Sequence, residues 1–133
     1  MDNVMKRAQS RGKIRTLLGR LCRFHLWEPN QFGIHKPLPH DAALEEHGPG
    51  IRRAYTYKAL NRLIQGSAAD MTKKAMIELY KEGITPHIQV HDELDISVDN
   101  NADKIKEIME SAVDLEVPNR VDYESGLNWG TIK

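Results

Sequence analysis

Between Arg52 and Glu82 the chain repeats one apolar stripe: Leu60, Leu63, Ile64, Ser67, Met71, Ala75 and Leu79 fall at three- and four-residue steps. That spacing predicts a single long helix with one face turned to a core. Gly83 is a natural stop, and Pro86 forbids a restart. A helix of this length dominates what a 133-residue chain can become. The other elements must be short and must cover the stripe. A second face of the helix is polar. Asn61 and Gln65 lie four apart, so they stack one turn above the other. Next to them come Gly66, Ser67, Ala68 and Ala69, small enough to let a neighbour approach the backbone. That neighbour is most simply a sheet. The amide pair is either a solvated face or a reader of acceptor atoms in a nucleic-acid minor groove.

Downstream, Ile88 to Val98 reads IQVHDELDISV. Ile88 and Val90 alternate with Gln89, and Leu94, Ile96 and Val98 alternate with Asp95 and Ser97. A period of two predicts two short half-buried strands. The charged trio His91-Asp92-Glu93 breaks the pattern and belongs at the tip of a hairpin. Adjacent carboxylates at a fixed turn can hold a hard cation such as Mg2+. They can equally form a solvated acidic turn.

The rest of the chain supplies short elements. Val4, Met5 and Ala8 stand at helical spacing before Gly12. Ile14 to Leu18 alternates as a strand, Gly19-Arg20 turns it, and Leu21 to Leu26 returns as its partner. Arg15, Arg20 and Arg23 would gather at that hairpin, either as a phosphate-binding cluster or as a solvated basic edge. Residues 27–50 carry four prolines and three glycines and read as a long loop with a short helix at Ala42 to Glu46. Four histidines, His25, His35, His40 and His47, lie at or beside it with no metal-ligand spacing. Asn100 or Asn101 can cap a helix along Ala102 to Ala112. Pro118 closes that stretch, Arg120 to Tyr123 reads as a last strand, and Trp129 is placed to dock back onto the core. The predicted class is α+β, with helices on one face of a small, mostly antiparallel sheet.

Lys plus Arg equals Asp plus Glu, at 19 each. The balance conceals an asymmetry: seven basic residues against Asp2 alone up to Arg23, and an acidic excess from Asp92 to Glu124. A basic beginning invites an anionic partner, unless the two halves neutralise each other. The single cysteine, Cys22, excludes an internal disulfide and any multi-cysteine zinc site, and fits a reducing cytoplasm. No run is long and apolar enough to span a bilayer, and the polar start is not a secretory signal.

Four stretches in order resemble the family A DNA polymerases, the group of bacterial DNA polymerase I and related phage replicases. Ile88 to Val98 resembles polymerase motif C. Gly12-Lys-Ile-Arg-Thr-Leu-Leu-Gly-Arg20 is similar to the segment that follows the fingers. Leu60 to Asp70, LNRLIQGSAAD, resembles the start of the long palm helix. Val117-Pro118 and Gly126 to Gly130 resemble the C-terminal end. The likeness covers most of the chain except the loop from Trp27 to Arg53.

The resemblance implies a nucleotidyltransferase in DNA replication: primer-template DNA and dNTP as partners, two Mg2+ ions, and a partial palm fold over residues 1–133. Asp92 would be a carboxylate ligand of the ions, and Glu93 would support the site. His91 would contact the primer end. Asn61 and Gln65 would touch the minor-groove side of the duplex, with Arg20 near its backbone. Tyr57 stands where many members carry a basic side chain, and Asp95 where an apolar one is common. Motif A, the fingers, the thumb and an exonuclease domain are not visible. The expectation is therefore a C-terminal palm segment, from a split or truncated gene, working with a complementary N-terminal chain, in a host cytoplasm if phage-encoded. The alternatives are a noncatalytic DNA-binding remnant and a stand-alone metal-dependent phosphohydrolase built on His91-Asp92.

Overall fold

The first helix, α1 (Asp2–Arg11), ends where a side chain would be in the way. Gly12 takes φ +66, and its N–H returns to Ala8 O at 3.0 Å. A Cβ there would also stand 2.7 Å from the guanidinium carbon of Arg53. The computed structural model describes residues 2–132, without the side chain of Asp2. The chain divides into two compact units, Met1–Ser67 and Ala68–Lys133. The long helix α3 (Ala59–Lys81) contributes its first turns to one and the remainder to the other.

In the first unit, β1 (Lys13–Arg15) and β2 (Leu21–Arg23) form an antiparallel hairpin with Ile14 opposite Cys22. The next strands are β3 (Leu26–Pro29), β4 (Leu38–Pro39) and β5 (Ile51–Arg53), with helix α2 (His40–His47) between β4 and β5. They form a separate antiparallel sheet in the order β4-β3-β5. Residues 27–50 are therefore not the long loop that their proline content predicts. Pro39 sits on the edge strand β4, and Pro29 is the last residue of β3, positions that tolerate a missing N–H. The predicted start of the long helix at Arg52 is also corrected. Arg52 and Arg53 pair with Glu28 and Trp27 across β5 and β3, and a short 3-10 turn (Thr56–Lys58) precedes α3.

Ala8, Ile14, Phe24 and Ala59 make the core of this unit, with Val4, Cys22, Tyr55 and Leu63 packed against them. A polar clasp closes it. Gln9 Nε2 donates to Arg53 O at 2.9 Å and to Thr56 Oγ1 at 2.7 Å, while Arg53 N–H donates to Gln9 Oε1 at 3.3 Å. Arg53 answers with Nε to Gln9 O at 2.9 Å and Nη1 to Phe24 O at 3.1 Å. Its guanidinium lies 4.5 Å over the Trp27 ring, and the His40 ring meets Trp27 edge-on at 4.8 Å.

In the second unit, Asp70, Thr72, Ala75 and Leu79 are buried along α3. The helix ends at Gly83, φ +77, with Ile84 N–H on Leu79 O at 2.9 Å. Strands β6 (Ile88–Val90) and β7 (Glu93–Asp95) form a third small antiparallel sheet. Helix α4 (Ala102–Ser111) buries Ile105. Asn101 occupies its cap position, but its Oδ1 accepts from Asp99 N–H rather than from a helix N–H. The predicted strand at Arg120 to Tyr123 does not form. The segment is held instead by Val121 N–H on Glu110 Oε1 at 2.8 Å and by Lys106 over the Tyr123 ring. Trp129 does not dock: it lies in a 3-10 turn (Trp129–Thr131), 56% exposed. The class is α+β, as the sequence predicts, with the strands divided among three small sheets rather than one.

The clasp yields a stability prediction. Gln9→Ala removes the partners of two Arg53 backbone groups and of Thr56 Oγ1. Urea unfolding should show a loss of about 2 kcal/mol, the cost of leaving partly buried groups unpaired. A loss under about 0.5 kcal/mol would mean that water replaces those bonds freely.

Candidate metal and nucleic-acid site

The hairpin of β6 and β7 turns as tightly as a hairpin can. Val90 pairs directly with Glu93, which leaves His91 and Asp92 as the whole turn. Two-residue turns need a positive φ at the first central position, so glycine is the usual occupant when the second is negative. Here His91 takes φ +53, while Asp92 does not take a positive φ. Gln89 Nε2 donates to His91 O at 3.1 Å, and His87 N–H donates to Asp95 O at 2.9 Å, closing the hairpin at both ends. The charged trio thus divides. His91 and Asp92 form the tip, while Glu93 is the first residue of β7 rather than part of the bend. All three are exposed. Asp92 has no salt-bridge or hydrogen-bond partner among the described residues. The second strand ends at Asp95, so Ile96 and Val98 lie beyond the ladder.

A hard oxygen donor at an open turn is the right kind of ligand for Mg2+. The number of donors is insufficient. Among the described residues no group of three His, Cys, Asp or Glu side chains could hold a metal ion. Asp95 stands at the far end of the ladder opposite Ile88, and its Oδ2 is buried without a hydrogen-bond partner. His35 and His47 approach with ring centres 6.2 Å apart and make no larger cluster.

The amide face belongs to the first unit. Asn61 and Gln65 are both exposed on α3, one turn apart. Arg20 is exposed at the β1–β2 hairpin, and its Nη2 donates to Gly66 O at 2.9 Å, one residue from Gln65. The structure thus brings Arg20 onto the backbone of Gly66, the residue after Gln65, a contact that spacing in the sequence cannot reveal. Tyr57 is 70% exposed, with Lys58 Nζ 5.7 Å from its ring, so a basic group stands beside the aromatic one. The units differ sharply in charge. Residues 1–67 carry twelve Lys/Arg against five Asp/Glu, and residues 68–133 carry seven against fourteen, giving +7 and −7.

The family model of DNA polymerase family A matches residues 1–131. A DNA-directed DNA polymerase of Pseudomonas phage M6 is 40% identical over 93% of this chain and 16% of its own length. DNA polymerase I of Geobacillus stearothermophilus is 34% identical over 97% of this chain and 14% of its own length. Among solved structures, the POL domain of Pol1 from M. smegmatis, in complex with DNA primer-template and dNTP, matches 88% of this chain and 20% of that one. The TM-score is 0.56 and the identity 28%. The chain thus spans 14–16% of the length of these curated relatives.

Because Asp92 is exposed and unpartnered, Asp92→Ala should leave urea stability within about 0.5 kcal/mol of the parent. His91→Gly should be neutral or stabilising by up to about 1 kcal/mol, since it relieves the positive φ against glycine's greater chain entropy. A clear destabilisation by either change would mean that the turn is held by side-chain contacts and that its residues are structural.

Proposed function

The chain belongs to DNA polymerase family A, and we propose that it is a C-terminal palm segment contributing the motif C turn and primer-template contacts to DNA synthesis. The observation that carries the reading is the turn itself. A histidine at φ +53 and an unpartnered aspartate project from a two-residue bend within the stretch that resembles motif C. In this reading Asp92 gives one oxygen to a Mg2+ ion, and Glu93 adds negative potential beside it. When bound, such ions offset charge on the attacking and leaving oxygens of an in-line phosphoryl displacement. Asp92 alone would not hold such an ion, so further oxygen donors would have to come from outside the described residues. His91, beside Asp92, contacts the primer end.

The first unit supplies the grip. Its +7 charge favours a phosphate backbone, and Arg20 adds a cation near the duplex. Asn61 and Gln65 donate to purine N3 and pyrimidine O2 in the minor groove. Those acceptors occur in every base pair, which suits contact without sequence preference. DNA with a primer end and a dNTP are therefore the proposed partners. A complementary polypeptide carrying the missing carboxylate and the nucleotide grip is the third. Among the described residues no helix is long and apolar enough to cross a membrane.

The reading is tested by primer extension with Mg2+ and all four nucleotides. This chain alone should give no extension. Adding the remainder of a family A polymerase, lacking its matching segment, should restore synthesis. Asp92→Ala in that mixture should lower the rate at least about a hundredfold, the scale of losing several kcal/mol of charge stabilisation. Assembly should be unchanged. Equal synthesis by Asp92→Ala would sink the catalytic reading and leave a noncatalytic DNA-binding role. Robust extension by the chain alone would remove the need for a partner.

A further inference from the structure

We propose that Gly66 and Ser67 form a seat for the Thr16–Arg20 turn, and that this seat positions Gln65 and Arg20 as one DNA-contacting unit. The inference rests on the duplex-contact reading above. Four observations converge. Leu17 N–H donates to Ser67 Oγ at 3.0 Å. Arg20 Nη2 donates to Gly66 O at 2.9 Å. A Cβ on Gly66 would stand 2.8 Å from Thr16 Cγ2 and 3.4 Å from Arg20 Nη2, so only glycine admits the turn at this depth. Thr16 itself is buried.

The turn is stiff enough to act as a latch. Thr16 N–H donates to Arg20 O at 2.9 Å, and Gly19 N–H to Thr16 O at 2.9 Å. Arg20 N–H donates to Thr16 Oγ1 at 3.1 Å, and Arg15 Nη1 to Gly19 O at 2.7 Å. Gly19 takes φ +88, where a side chain would be strained. Gln65 is next to the seat and exposed. A guanidinium for phosphate and an amide for base edges are thereby held within one residue of each other along α3. Gly66, Ser67 and Thr16 touch no DNA in this scheme; they are positioning residues.

The test is fluorescence anisotropy of the full chain on a primer-template duplex at low salt. One duplex carries adenine, and another carries 3-deazaadenine, which lacks the minor-groove N3 acceptor, at the same positions. With Asn61→Ala as the background throughout, which leaves Gln65 as the proposed N3 donor, the chain should bind the deaza duplex about fivefold more weakly, the scale of one lost hydrogen bond, and Gln65→Ala should erase that difference. Gly66→Ala should erase most of it too, with circular dichroism showing the helix retained. Ser67→Ala should reduce it. Gly66→Ala combined with Thr16→Ser should restore it, because serine keeps the hydroxyl and drops the obstructing methyl. Full deaza discrimination in Gly66→Ala, or no restoration by Thr16→Ser, overturns the latch while leaving Gln65 a DNA contact. No discrimination by the Asn61→Ala chain, or its persistence in Gln65→Ala, overturns the duplex-contact reading and the latch with it.

Discussion

Arg53 is the residue around which the first unit closes. Its backbone joins β5 to β3 opposite Trp27, and its side chain reaches back to α1. The guanidinium donates to Gln9 O and Phe24 O and covers the Trp27 ring. No lysine could do this, since the geometry needs several donors in one plane and a flat face for the indole. The arrangement constrains its neighbours. Gly12 takes φ +66, and a Cβ there would stand 2.7 Å from the guanidinium carbon, so a larger residue would be strained and would displace Arg53 from its partners. Gln9 must be long enough to bond three groups of residues 53 and 56 at once. With α1, β3 and β5 tied by one side chain, the small apolar core of Ala8, Ile14, Phe24 and Ala59 is held from a polar side as well.

This is also why only part of the fold was legible in the sequence. Periodicity revealed the presence of α1, α3, α4 and both hairpins, although Ile64 of the α3 stripe is 60% exposed and β6, expected to be half-buried, is exposed at all three residues. It could not reveal the β4-β3-β5 sheet. Those strands are two to four residues long, and their partners are joined by segments rich in proline and glycine. What makes Arg52 and Arg53 strand rather than helix is pairing with Glu28 and Trp27, a contact some 25 residues distant in the chain. The ion pair of Arg52 Nε and Glu28 Oε1 at 3.1 Å leaves no trace in local composition. At the site, the break in alternation placed His91, Asp92 and Glu93 together at a bend; the structure keeps the first two there, and Glu93 opens β7 because it pairs with Val90. The contact of Arg20 with Gly66 emerges only when the hairpin folds onto α3.

The charge distribution gives the two units different physical roles. A +7 unit draws a polyanion, and a −7 unit repels it unless cations intervene. Under the proposed function that contrast has a use. In that reading the duplex would lie where Lys and Arg are dense, and phosphates would approach the carboxylates with metal ions offsetting the repulsion. A net charge of zero for the whole chain would suggest indifference to nucleic acid; the division into units removes that inference.

The tip of the β6–β7 hairpin bears on whether the carboxylate is incidental. A hairpin whose only task was to reverse the chain would be served best by glycine or asparagine at the first turn position. Histidine at φ +53 costs about 1–2 kcal/mol relative to its ordinary conformations. Nothing in the turn offsets that cost through burial, because His91, Asp92 and Glu93 are all exposed. Under the proposed function, that strain is accounted for by the contact His91 would make with the primer end. A ligand that must later meet a metal and a substrate should be exposed and unpartnered beforehand, since a paired carboxylate would first have to give up its partner. Asp92 meets both conditions, and its backbone is fixed by the tightest turn available to two antiparallel strands.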